Sequence, residues 1–78
     1  MLKQNKRKLV VDIETDSLDA TVIHVAVTKD IDTKEVRSFR DGKDFVAHIH
    51  SIPSVFIMHN GISFDAPVLN RLWNARIK

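Results

Sequence analysis

The stretch Asp41–Met58, DGKDFVAHIHSIPSVFIM, decides the fold. Asp41 is an N-cap residue with Asp44 three positions later, and Phe45, Ile49 and Ile52 recur at i, i+4 and i+7, the spacing of an amphipathic helix. Pro53 ends that helix, because its ring removes a backbone donor and restricts the residue before it. The run Ser54–Met58 is almost wholly apolar, which predicts a strand buried on both faces. A strand reached through a helix is expected to run parallel to one of its predecessors.

Working outward, three strands are expected upstream. Leu9 to Ile13 is apolar and β-branched, and its unbroken start, Leu9-Val10-Val11, predicts burial on both faces of a central strand. Thr15 to Asp19 is a polar turn, and Thr21 to Thr28 is a second strand rich in β-branched residues. Lys29 to Thr33 supplies a hairpin connection without the usual Asn-Gly pair, and Glu35 to Phe39 alternates like a strand at a sheet edge. Downstream, Asp65-Ala66-Pro67 opens a second helix with Val68, Leu69, Leu72 and Trp73 on one face. The predicted class is α/β, a mixed sheet in the order β-β-β-α-β-α. With no further strand to follow, one edge of that sheet is expected to stay open.

At 78 residues the chain makes one small domain. It has no cysteine, which excludes disulfides, thiolate metal sites and cysteine nucleophiles, and no apolar run approaches the length of a membrane span. A cytosolic protein with no membrane partner is the default expectation. Residues 1 to 8 form a basic N-terminal tail with Lys3, Lys6, Arg7 and Lys8, followed by a domain over 9–78. Arg71, Arg76 and Lys78 make the other end basic, while residues 9–70 hold all ten acidic side chains. Basic ends can track a phosphate backbone or simply be solvated.

Two groups of residues carry possible chemistry. Asp12 and Glu14, two apart on a strand, leave the same face at its C-terminal end. Held together, two carboxylates share a proton or bind a cation, and oxygen ligands of this kind select Mg²⁺ or Mn²⁺; at a strand that has simply ended, both would point into water. The second group is His59-Asn60-Gly61-Ile62-Ser63-Phe64-Asp65, delivered by a strand and left by a helix, where α/β folds place ligands. Asp65 also suits a plain N-cap role, and Asn60-Gly61 a hairpin turn, although Pro67 and the helical stripe after it argue against the hairpin. The other histidines are poor site candidates: His24 lies within a strand, and His48 and His50 point to different faces of a helix. Trp73 belongs to an apolar stripe.

Together the two segments resemble the DnaQ-like, or DEDD, family of 3′-5′ exonucleases, in which Asp-x-Glu ends the first strand and Asn-x₃-(Phe/Tyr)-Asp follows later. Both patterns are present, as Val11-Asp12-Ile13-Glu14-Thr15 and His59-Asn60-Gly61-Ile62-Ser63-Phe64-Asp65. The longer form, with Pro67 and Leu69 in place, is similar to the proofreading domains of bacteriophage family A DNA polymerases. The resemblance spans residues 9–73 and implies a ribonuclease-H-like fold in a phage-infected bacterial host. It makes Asp12, Glu14 and Asp65 ligands of a site for two Mg²⁺ or Mn²⁺ ions that hydrolyses the terminal DNA phosphodiester. It places His59, Asn60 and Phe64 along the groove for the 3′ end of single-stranded DNA, with Leu18 as an apolar wedge against the terminal base. His59 equally fits a structural histidine, and Phe64 plain core.

The resembled pattern also has a third motif, with a fourth acid and a Tyr or His that positions water. No acid follows Asp65 and the chain has no tyrosine, so the expectation is a domain truncated before that motif. A partner would then complete it: a DNA polymerase, a chain carrying the rest of the domain, or a second copy in a homodimer. The alternative is an inactive module that kept the fold and binds nucleic acid or a polymerase.

Overall fold

The computed structural model describes residues 6–59 and 64–77. In chain order the elements are β1 (Arg7–Thr15), β2 (Ile23–Asp30), β3 (Val36–Phe39), α1 (Gly42–His50), β4 (Ser54–Met58) and α2 (Ala66–Trp73). They build an α/β structure on a four-stranded mixed sheet in the order β3-β2-β1-β4, with β1/β2 and β2/β3 antiparallel and β1/β4 parallel.

β1 begins two residues earlier than its apolar run. The Arg7 amide donates to the Pro53 carbonyl, and the guanidinium donates to Ser54 Oγ and to the His48 carbonyl, each at 2.9 Å. Arg7 and Lys8 are therefore sheet residues and not part of a tail. Along β1 burial alternates: Leu9 and Val11 are 1% exposed, whereas Val10 between them is 36% exposed. The expectation of a strand covered on both faces is thus corrected. Both helices lie on one side, where Leu9, Val11, Ile23 and Ala26 meet Phe45, Ile49, Val68 and Leu69 in one core. β4 is corrected in the same way, since Phe56 and Met58 pack inward while Val55 and Ile57 are exposed on the opposite face.

Local chemistry explains the connections. In the β2–β3 hairpin, Asp30 Oδ1 accepts from the amides of Asp32 and Thr33, and Lys34 turns the chain at φ 70°. An aspartate-nucleated turn thereby replaces Asn-Gly. Asp41 caps α1, its Oδ1 accepting from the Lys43 amide at 2.9 Å. The helix stops at His50, because the amide and hydroxyl of Ser51 both donate to the His48 carbonyl. Ile52 consequently falls outside the helix and is exposed, so the expected i+7 member of its stripe is not core. At Gly42 a Cβ would come within 2.6 Å of Trp73 Cγ, so only glycine lets α1 approach α2 this closely.

After α2, Asn74 takes the left-handed conformation that ends many helices, at φ 52°. Asn70 then clamps the returning chain: its side-chain amide donates to the Ile77 carbonyl and accepts from the Ile77 amide, both at 2.7 Å. His50 Nε2 meets the Ala75 carbonyl at 2.7 Å and so carries the proton. Arg71 donates to the Ala20 carbonyl, tying α2 to the β1–β2 loop.

Candidate functional site

The parallel register of β1 and β4 sets the geometry. Val11 lies opposite Met58, so the residues that follow them, Asp12 and His59, emerge at the same end of the sheet. α2 is the next element after β4 in the chain, with Asp65 at its N-cap. Asp12 lies opposite Val27 and Glu14 opposite Val25, on the face the helices leave open, and both carboxylates are exposed. Two residues of strand separate them by about 7 Å.

Asp65 is different, being only 6% exposed. It occupies the N-cap position, but its backbone is already helical and its side chain makes no capping hydrogen bond, so the expected capping role is corrected. A cap needs extended backbone to aim its oxygen at the first free amides, and φ −62°, ψ −50° turns it away. Phe64 packs against the core, His59 is exposed, and Asn60 lies outside the described residues.

Leu18 is 90% exposed at the tip of the β1–β2 loop. Asp16, which sequence reasoning passed over as one polar residue in a turn, ties the start of that loop to its end. Its Oδ2 accepts from Thr21 Oγ1 at 2.6 Å and its Oδ1 from the amides of Thr21 and Val22 at 3.0 and 3.1 Å. These donors, the Thr21 hydroxyl foremost, hold its carboxyl far below the usual carboxylate range. The signal was an aspartate facing a threonine five positions on, a local side-chain-to-backbone pattern.

Among the remaining titratable groups, His48 lies on Phe39 with ring centroids 5.2 Å apart. Burial, followed by the charges of Arg7 and Arg37, lowers its pKa below the ordinary value. His24 is exposed on β2, and Trp73 packs on Phe45 at 5.4 Å.

Asp12 and Glu14 are hard oxygen donors sharing one accessible face, which fits a divalent cation of the Mg²⁺ or Mn²⁺ kind. No group of three or more His, Cys, Asp or Glu side chains is gathered around one point among the described residues. Fit to an ion therefore rests on this pair, and Asp65, expected as the third ligand, is not gathered with it. No helix among the described residues is long and apolar enough to cross a membrane. No protein-family model matches the chain, and no curated protein matches it with significant similarity.

Proposed function

We propose that this chain carries the first part of a DEDD-type 3′-5′ exonuclease domain on a ribonuclease-H-like sheet, acting on the 3′ end of single-stranded DNA. The observation that carries the reading is the β1/β4 register, which sends Asp12 and His59 out at one end of the sheet. Asp12 and Glu14 would hold a divalent ion, and Asp65 is a further ligand on the resemblance alone. A bound ion would supply an activated water and stabilise the leaving 3′ oxygen. The exposed Leu18 would press on the terminal base, while Asp16 keeps its loop in place. His59 and Asn60 would line the strand's path, and Phe64 would support the site from the core. The fourth acid of the resembled pattern has no counterpart among residues 66–78. It would be supplied from outside these 78 residues.

A second reading is an interaction module that retains this fold without the chemistry. The exposed Val10, Val55 and Ile57, neighbours on one sheet face, favour it, since scattered apolar exposure is ordinary but adjoining exposed apolar side chains mark a binding surface. One experiment separates the two. A 5′-labelled single-stranded oligonucleotide is incubated with Mg²⁺ or Mn²⁺ and the chain, alone and with candidate polymerase partners, beside Asp12→Ala purified identically. Stepwise shortening that disappears in Asp12→Ala supports the nuclease. Partner or DNA binding that Asp12→Ala leaves intact, with no shortening in any mixture, supports the module.

A further inference from the structure

Strand β2 changes phase at one position. From Val25 onward its residues alternate, Ala26 and Thr28 being buried while Val25, Val27 and Lys29 share the other face with Glu14, Asp12 and Val10. Continued toward the start of the strand, that alternation would put His24 on the covered face and Ile23 outside. The structure has the reverse: Ile23 is 5% exposed and belongs to the core, and His24 is exposed. The cause is a register shift against β1. Glu14 lies opposite Val25 but Thr15 lies opposite Ile23, so His24 is an extra residue, a β-bulge. A bulge interrupts the ladder, and sheets use one to re-aim a side chain, often beside a functional site.

The side chain re-aimed here is an imidazole beside the candidate carboxylates. Glu14 is its neighbour across the β1–β2 ladder, and Asp12 is two residues further along the same face. His59 follows β4 on the other flank of β1, so the carboxylates lie between two histidines. Among the described residues no hydrogen bond or ion pair engages the His24 ring. It is not gathered with Asp12 and Glu14 around one point, which sets it beside an ion's ligands and not among them. Val25 and Val27, the β2 residues opposite the carboxylates, offer no side-chain donor, and the lysines of this face lie at its other end, Lys29 opposite Val10 and Lys8 beside Val55. We infer that His24 binds the substrate strand, its imidazole N–H donating to a phosphodiester oxygen of the single strand whose 3′ end reaches Asp12 and Glu14. This rests on the nuclease reading for its ligand and adds to it a substrate contact from β2. Neighbouring strands are roughly 5 Å apart, so a phosphate held at the carboxylates is within reach of an imidazole on β2. The bond needs only an N–H, which the ring has in either protonation state, and its acceptor is charged.

NMR of the full chain tests it in two steps. Mg²⁺ alone should shift the Asp12 and Glu14 amides, which reports on the nuclease reading. A single-stranded DNA oligonucleotide with a free 3′ hydroxyl, added to the Mg²⁺-loaded chain, should then shift the His24 ring and leave the rings of His48 and His50 in place, since these lie on α1 behind the sheet. His24→Ala should weaken oligonucleotide binding by about tenfold, the loss expected for one hydrogen bond to a charged group, with Mg²⁺ affinity unchanged. His24→Gln, which keeps a side-chain N–H, should recover part of that loss. The ring shift is read on the native chain, so it stays decisive if His24→Ala fails to fold. Strand binding that leaves the His24 ring unmoved, or that His24→Ala does not weaken, overturns the inference while the Mg²⁺ response leaves the nuclease reading standing. An intact Mg²⁺ response with no strand binding overturns it too. A missing Mg²⁺ response at Asp12 and Glu14 overturns the nuclease reading and, with it, the ligand assigned to His24.

Discussion

The two faces of the sheet draw side chains from the same strands and have opposite fates. On the covered face Leu9, Val11 and Ala26 are all but inaccessible beneath α1 and α2, while one residue along β1 and β4 the open face shows Val10, Asp12, Glu14, Val55 and Ile57. The covered face holds the protein together. The open face carries the carboxylates of the candidate site. Side chains that contribute little to folding are the ones free to be used for binding.

Substitutions on the two faces should therefore differ sharply. Phe45, fully buried between Phe39 and Trp73, should be the most sensitive position. Phe45→Ala is expected to cost about 3–5 kcal/mol in urea denaturation. That is a large share of the roughly 4–12 kcal/mol available to a domain of this size. Gly42→Ala should cost about 1–3 kcal/mol, because the added methyl collides with the Trp73 ring and must push the helices apart. Asp41→Ala should cost about 1 kcal/mol by removing the α1 cap. On the open face, Asp12→Ala should change the unfolding free energy measured in urea by no more than about 0.5 kcal/mol. A stability loss there comparable to Phe45→Ala would break the contrast.

The smallest effects are those of pH, and they too separate the covered side from the surface. His48 has a lowered pKa in the folded chain, so protonation favours unfolding. Its stabilising contribution is complete above its ordinary value of 6.5 and declines as pH falls below it. Thermal denaturation should show a modest drop in Tm between neutral and mildly acidic buffer, reduced in His48→Gln. Asp16 acts in the same direction at lower pH: below its ordinary 3.8 the unfolded chain takes up the proton, while the folded carboxylate keeps the Thr21 and Val22 donors until far lower pH. Protection of the Thr21 and Val22 amides, followed by NMR, should be lost only there.

Much of the architecture was legible in residue order. Asp41 capping a helix with Phe45 and Ile49 inward, and Pro67 in the first turn of a helix with Val68 and Leu69 inward, follow from local rules of capping and period. That β4 runs parallel to an earlier strand followed from the helix between β3 and β4, whereas the choice of β1 as that strand did not. The candidate site was legible as a pair of carboxylates on one face and a second segment at a strand end. The exposure of Asp12 and Glu14, the burial of Asp65 without a capping bond and the three donors on Asp16 were not. Those depend on residues distant in sequence or on backbone angles that residue type alone does not set.

What the sequence determined by itself was therefore local: element type, caps, and which residues alternate together, because these depend on neighbours within a turn of helix or a few residues of strand. Coverage of the sheet was decided by tertiary structure. Leu9-Val10-Val11 and Val55-Phe56-Ile57 read as apolar runs whether one face or two is covered, and only the placement of α1 and α2 on a single side left Val10, Val55 and Ile57 exposed. Burial is a sum over the whole chain's packing, and the spacing of apolar residues along one strand does not contain it.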